Sequence, residues 1–491
     1  MLKRKIINGF GWSFVGTLVQ NITKFLTLVV LARLITPEEF GVITASMVVI
    51  SFSVIFTTLG VGQAIVQRPK INKNLIRTGF TLSIAMGIIF SVLIYCLSSG
   101  ISIFFKMSQL EIVLKVLSIS FFIQSFSIVA TGLLQRDLKF KSLALIETFS
   151  YTIGYGFMAI FFALLDYGIW ALVIAQLSQT LLATIMTMTV VRHNIVPLFN
   201  IKSVKELMYF GGGFTLARVF NYAATQGDNI VIGRLLGPTV LGLYGRIYQL
   251  MVMPANVIGQ VLDKVLFSAM SRIQSDLTRL KQIYLRGVGL TATLVLPLSI
   301  TCMIYAEEFI LITIGENWIS ATSAFLILSS GMIFRTSYKM SESLTRALGA
   351  VYKRAWRQFV YACSIFLGCF IGHYWGLEGI AVGIVIALII NYVLMAQLSL
   401  KLIGADWSSF IKVHKTGALI SFIILFLYLI IELIFDFDPL FIFLLNLVSS
   451  IVVLAILFKF YKGIVLGETE NWLLKNIESL CRGKMKWKKI S

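Results

Sequence analysis

Long apolar blocks, each of about twenty residues or more, alternate with short polar segments along most of the chain. Blocks of that length suit helices that cross the hydrocarbon layer. A transmembrane β-strand would instead show a two-residue alternation over about ten residues. The blocks predict helices at 10–34, 41–66, 78–100, 112–134, 142–165, 169–191, 208–235, 241–266, 287–306, 319–345, 358–375, 378–400, 416–434 and 440–458. The expected fold class is an all-α polytopic membrane protein of about fourteen transmembrane helices. The first apolar run is too long for a signal peptide and reads as a retained helix.

The loops between the blocks alternate in charge. Lys3, Arg4 and Lys5 precede the first block, Arg68, Lys70, Lys73 and Arg77 follow the second, and Arg136, Lys139 and Lys141 follow the fourth. Lys202 and Lys205, then Arg272, Arg279 and Lys281, then Lys353, Arg354 and Arg357, then Lys412 and Lys415 continue the series. The intervening loops carry Glu38 and Glu39, Glu111, Asp166, Glu307, Glu308 and Glu316, Glu378, and Glu432, Asp436 and Asp438. Basic loops face the cytoplasm, so both termini are expected there. One missed or invented helix would invert the alternation from that point on. No loop is long enough for a folded soluble domain. In the basic tail, Trp472, Leu473, Ile477 and Leu480 form an apolar face suited to a membrane surface.

Composition agrees with this reading. The chain is 58% hydrophobic and 13% charged, against about 25% charged in soluble domains. The net charge of +20 does not point to nucleic acid, because Lys and Arg are spread over the loops, where topology and anionic headgroups account for them. The five cysteines form no CxxC pair and the three histidines are far apart. No disulfide framework, zinc site or other cofactor is implied.

The chain contains an internal echo. At an offset of 201, Arg33, Leu34, Pro37 and Gly41 fall on Arg234, Leu235, Pro238 and Gly242. Tyr167-Gly-Ile-Trp-Ala is echoed by Trp375-Gly-Leu-Glu-Gly, and Gln135-Arg136 by Thr345-Arg346. Six helices separate the copies, so both copies have the same orientation. This predicts two six-helix lobes related by a pseudo-two-fold axis along the membrane normal, at 1–200 and 201–405. Helices 13 and 14 at 406–460 and the cytoplasmic tail at 461–491 are additions.

Polar residues inside the blocks mark candidate chemistry. Ser13, Thr17, Gln20, Lys24 and Thr27 share one face of the first helix. The repeat offset maps the last four onto Arg218, Asn221, Thr225 and Asp228 of the seventh. Two such stripes facing each other would line a water-filled cleft; pairing of Lys24 with Asp228 is the alternative. Arg335, Lys339 and Glu342 share a face of the tenth helix, in a cavity or snorkelling to headgroups. Arg246 and Glu147 lie near helix ends, where headgroup contact and a structural role are expected. Gly9, Gly11 and Gly211–Gly213 near helix starts, with Pro254 and Pro297 inside helices, permit bending.

At this point a family becomes recognisable. LARLITPEEFG at 31–41, LGVGQAIVQR at 59–68, LLQRDLKF at 133–140, YGIWALV at 167–173, DNIVIGRLLGPTVLGLYG at 228–245, FSAMSRIQSD at 267–276, GENW at 315–318 and WGLEGIAVG at 375–383 carry the likeness. The chain resembles the polysaccharide transporter family of the multidrug/oligosaccharidyl-lipid/polysaccharide exporter superfamily. The resemblance implies two six-helix lobes around a central cavity. It also implies flipping of polyprenyl-pyrophosphate-linked oligosaccharide repeat units across the bacterial inner membrane by alternating access, for O-antigen, capsule or exopolysaccharide. The expected partners are that lipid-linked oligosaccharide, the bilayer, and polysaccharide polymerase or assembly proteins. Ser268 departs from the family pattern, which leads one to expect proline there.

On this reading Lys24, Gln20, Arg218, Asn221, Arg335 and Lys339 are the candidate substrate-binding residues of the cavity, and Asp228 is the candidate for proton or ion coupling. The runner-up is a small-molecule or drug exporter of the same superfamily, for which Asp228 is the carboxylate available in either stripe. A membrane polysaccharide polymerase or ligase would need catalytic groups on a sizeable outer loop, and the outer loops here are short.

Overall fold

The computed structural model describes residues 2–58, 60–67, 71–194, 196–434, 441–443, 445–446, 448–450 and 452–453. Side chains of 1–15, 17 and 18 and of several residues in 202–272, Asn221 and Ser268 among them, lie outside the described set. So do the tail at 461–491 and its apolar face.

Helices succeed one another in the order α1 (Leu2–Leu34), α2 (Pro37–Thr57), α3 (Val61–Gln67), α4 (Lys73–Phe105), α5 (Ser108–Leu117), α6 (Ile119–Ser125) and α7 (Ile128–Arg136). Then come α8 (Phe140–Phe149), α9 (Met158–Leu164), α10 (Ile169–Val190), α11 (Ile201–Leu235), α12 (Gly237–Arg272), α13 (Leu277–Ile304) and α14 (Ala306–Thr313). The series ends with α15 (Thr322–Ser330), α16 (Met332–Ala347), α17 (Val351–Gly372), α18 (Gly376–Ile403), α19 (Trp407–Lys412) and α20 (Lys415–Ile434). Among the described residues, eight helical stretches are long and apolar enough to cross a membrane, or nine with the bent pair Ser108–Ser125 and Ile128–Arg136. One of the eight, Tyr352–Ile403, takes in most of α17 and all of α18. The protein is a multi-pass α-helical membrane protein.

Several predicted helices are interrupted, two of them at residues that break the helical ladder and one where another helix comes close. The stretch 41–66 divides into α2 and α3 at Gly60, whose φ of 65° requires the left-handed region that glycine tolerates. The stretch 112–134 bends by 46°. There Ser125 and Ser127 donate to the carbonyls of Phe122 and Gln124 at 2.6 and 2.9 Å, competing with the helical ladder. Between α8 and α9 the chain forms a π-helical turn over Ser150–Phe157. Its Gly154 lies so close to α10 that a Cβ would sit 2.6 Å from the Cα of Gln179.

The chain divides into two compact units. Unit 1 comprises Met1–Ile247, Thr313–Ala321 and Ile365–Ile380, and unit 2 comprises Tyr248–Ile312, Thr322–Ser364 and Ala381–Ser491.

In unit 1 the acidic loops meet at one end. Thr36 caps α2 through a box with Glu39, whose Oε2 accepts from the Thr36 backbone N–H at 3.0 Å. The other oxygen of Glu39 accepts from the backbone N–H of Ile169 at 3.0 Å, tying the α1–α2 turn to the start of α10. Gly168 makes room for it, with φ 53° and no space for a Cβ beside that carboxylate. Its echo Gly376 also has positive φ, 67°. Trp318, fully buried, donates from Nε1 to the carbonyl of Ala32 at 2.8 Å and packs on Phe40 with ring centroids 5.6 Å apart.

The basic loops of unit 1 meet at a separate place. Arg77 donates to the carbonyls of Val196 and Pro197 at 2.9 and 3.3 Å, and Arg136 donates to the carbonyl of Ile65 at 2.9 Å.

Unit 2 centres on α13, which packs against α16 and α20. Its core holds Met270, Leu280, Tyr284, Val288, Met340 and Leu344. The hydroxyls of Tyr284 and Ser341 are 2.8 Å apart within that core. Lys281 in the first turns of α13 and Asp406 at the N-cap of α19 lie 3.8 Å apart.

Candidate functional site

Within unit 1, α2, α6, α10 and α11 enclose a cavity of about 440 Å³. Its apolar wall comes from α2 through Met47, Ile50, Val54 and Ile55. The remaining wall is polar. Ser51, Ser120, Gln124, Gln176, Thr180 and Thr225 contribute hydroxyls and amides, and Arg218 contributes a cation. Among the described wall residues Arg218 is the one charged group and no carboxylate is present. Ser120 and Gln124 on α6, and Gln176 and Thr180 on α10, are each four residues apart, so each pair presents to the same side of its helix. Tyr222, also on the wall, is fixed by donating its hydroxyl to the carbonyl of Val48 at 2.6 Å.

Such a cavity can hold a group that is anionic at one point and rich in hydroxyls elsewhere. A guanidinium binds phosphate oxygens through a planar fork of N–H donors. Amides and hydroxyls both donate and accept, as sugar hydroxyls do. No metal-holding group of three or more His, Cys, Asp or Glu occurs among the described residues.

The other predicted site residues are distributed as follows. Lys24 of α1 is half-buried, with Nζ 5.5 Å from the ring centroid of Tyr151 and within electrostatic reach of Glu147. Tyr151 in turn bonds Thr27 of α1. Gln20 is half-buried one turn before Lys24. The alternative partner, Asp228, is 4% exposed and accepts from the Tyr244 hydroxyl at 2.6 Å and from the Asn229 backbone N–H at 2.8 Å. It does not contribute to the cavity wall. Asn221 falls on α11, but its side chain lies outside the described residues.

Arg335 and Lys339 belong to unit 2. Arg335 donates to the Tyr361 hydroxyl at 3.3 Å and lies 5.8 Å from the ring of Tyr338. Lys339 lays its aliphatic chain against Gly259, where a Cβ would be 2.6 Å from its Cδ. Glu342, on the same face, pairs with Arg354 of α17.

Sequence reasoning did not single out Ser51, Ser120, Gln124, Gln176 or Thr180. The signal available was the four-residue spacing of polar groups in otherwise apolar helices. Arg246 was expected at headgroups. Its guanidinium instead lies 4.3 Å from the ring centroid of Phe40, within electrostatic reach of Tyr151 and Tyr155 of the π turn. It therefore forms part of the fabric of unit 1.

Comparison with known proteins places these features in context. Residues 30–323 match the family model described as "Polysaccharide biosynthesis protein". The chain is 25% identical over 418 residues to "Lipopolysaccharide biosynthesis protein WzxC" of Escherichia coli, covering 84% of each chain. It is 26% identical over 371 residues to "Teichuronic acid biosynthesis protein TuaB" of Bacillus subtilis, covering 74% of this chain and 77% of that one. In fold it is similar to "Lipid II flippase MurJ, inward closed conformation", with a TM-score of 0.78 and 16% identity, over 92% of this chain and 99% of the other.

Proposed function

The chain belongs to the polysaccharide biosynthesis protein family, and from that premise we propose that it flips polyprenyl-pyrophosphate-linked oligosaccharide repeat units across the bacterial inner membrane for a surface polysaccharide. The observation that carries the reading is the cavity of unit 1, whose described wall sets the Arg218 guanidinium among amides and hydroxyls. Arg218 meets the pyrophosphate, and Gln124, Gln176, Ser51 and Thr180 meet sugar hydroxyls. The similarity to proteins of lipopolysaccharide and teichuronic acid biosynthesis supports a carbohydrate cargo, and the likeness in fold to a lipid II flippase supports a lipid carrier.

Lys24, Gln20 and Asn221 in unit 1 are assigned to substrate binding, and Arg335 and Lys339, in unit 2, are separate candidates for binding substrate. Asp228 is assigned to proton or ion coupling through its bond with Tyr244. Transport proceeds by alternating access of two six-helix lobes, with both termini cytoplasmic. The meeting of acidic loops at one place in unit 1 and of basic loops at another supports that topology. A drug or cation exporter would be served by a carboxylate on the cavity wall, and the described wall offers a cation instead.

Deletion of the gene tests the proposal. The expected result is loss of one surface polysaccharide and accumulation of its lipid-linked repeat unit on the cytoplasmic side. Normal polysaccharide in the deletion strain would reject it.

A further inference from the structure

A second hollow in unit 1 lies along the face of α2 that turns away from the polar cavity. It is a groove of about 670 Å³ between α2, α4 and α11. From α2 come Val48, Val49, Phe52 and Phe56, and α4 supplies Phe90, Leu93, Leu97 and Phe104 along one face. Its two hydroxyl-bearing residues are already engaged, Ser53 with the carbonyl of Val49 and Tyr222 with that of Val48. The groove is otherwise lined by hydrocarbon, so a polar ligand finds few partners there and burying one would leave polar groups unsatisfied.

Two features join this groove to the polar cavity. Tyr222 lines both hollows, and α2 divides them, with Met47, Ile50, Ser51 and Val54 on one side and Val48, Val49, Phe52 and Phe56 on the other. From Tyr222 an aromatic series leads along the groove. Ring centroids are 5.7 Å apart for Tyr222 and Phe52, 5.3 Å for Phe52 and Phe56, and 6.0 Å for Phe56 and Phe90. Aromatic faces give a large apolar surface of fixed shape, suited to a methyl-branched, unsaturated chain. Space remains at Gly100, an exposed lining residue where a Cβ would meet nothing within 4 Å.

We propose that the groove between α2, α4 and α11 holds the isoprenoid chain of the lipid-linked substrate while its head occupies the Arg218 cavity. The proposal rests on the function proposed above. A molecule with an anionic, hydroxylated head and a long apolar tail matches two adjoining hollows of opposite character. The head is then drawn in from the bilayer with its tail still in apolar surroundings, so the chain need not be exposed to water.

Photo-crosslinking tests this in the full-length protein, with its five cysteines replaced by serine, in nanodiscs. A benzophenone is carried on Leu97→Cys in the groove, or on Ile185→Cys, an exposed position of α10 outside it. The probe is a tritiated polyprenyl-pyrophosphate disaccharide in excess phospholipid. Label is expected at Leu97→Cys, competed by unlabelled polyprenyl pyrophosphate and unaffected by added phospholipid, with capture at Ile185→Cys lower on the order of tenfold. Gly100→Leu, whose Cβ enters open space beside the groove, is expected to lower flipping by a similar factor at unchanged membrane level. Equal labelling at the two positions, capture of phospholipid alone at Leu97→Cys, or full transport by Gly100→Leu would overturn the proposal while leaving the function intact. Failure of the wild-type protein to bind or move the lipid-linked sugar would overturn both.

Discussion

Gly41 packs so closely on Pro238 that a Cβ at Gly41 would lie 1.8 Å from the Pro238 carbonyl oxygen. The contact is reciprocal, since a Cβ at Gly242 would lie 1.8 Å from the carbonyl oxygen of Pro37. These residues are two of the four pairs by which one copy of the repeated motif maps onto the other. Each copy gives the other a glycine to approach and a carbonyl to receive, as a local two-fold contact requires. Gly41→Ala and Gly242→Ala should each force the starts of α2 and α12 apart. The cost is on the order of 1–3 kcal/mol, read as a lower thermal midpoint of the detergent-solubilised protein. Gly100→Ala, at a glycine inside α4 whose Cβ would meet nothing within 4 Å, reports the effect of glycine replacement in a helix without a close approach. Midpoints for Gly41→Ala and Gly242→Ala no lower than that of Gly100→Ala would show that the close approach is not used.

Topology follows from the charge alternation. In a cysteine-free background, cysteines at Glu38, Asp166 and Glu316 should react with an impermeant thiol reagent added to sealed cells. Cysteines at Lys73, Lys141 and Lys281 should react only after permeabilisation. The reverse pattern would invert the orientation.

The cavity predicts an order among variants. Arg218→Ala removes a charge-assisted bond worth about 1.5–3 kcal/mol, so flipping should fall roughly tenfold to a hundredfold at normal membrane level. Arg218→Lys retains the charge without the planar fork and should fall between that and wild type. Gln124→Ala and Gln176→Ala should each have smaller effects that depend on the sugar. Surface polysaccharide per cell, normalised to membrane protein, reads all four. Equal output from Arg218→Ala and wild type would remove the cation from the mechanism.

The driving force is open to the same approach. A pyrophosphate diester carries about two negative charges, and the cell interior is negative. Outward movement of the head therefore gains roughly 4–5 kcal/mol per 100 mV, at about 2.3 kcal/mol per charge. Flipping in proteoliposomes should respond to an imposed potential at equal pH on both sides. Dependence on a proton or sodium gradient alone would turn attention to Asp228 and its partner Tyr244.

The extent to which these features are legible in the sequence follows from their range. Helix positions depend on apolar block length, a local property, and α10 (Ile169–Val190) lies almost where 169–191 was expected. The π turn at Ser150–Phe157 depends on the approach of Gly154 to Gln179, which no local pattern announces. Arg218 stood out because the repeat placed it opposite Thr17 in an apolar helix. Gln124 and Gln176 did not, because their meaning depends on which faces of α6 and α10 meet. The position of Arg246 over the Phe40 ring is hidden for the same reason, since it joins two elements far apart in sequence.

Reconstitution tests the central claim most directly. Wild-type protein in proteoliposomes is supplied with a polyprenyl-pyrophosphate oligosaccharide on one face, and its appearance on the other is followed with an impermeant lectin. The account predicts that the lectin-accessible fraction rises with wild-type protein and rises far more slowly with Arg218→Ala. An accessible fraction that rises no faster with wild-type protein than in protein-free liposomes would contradict it.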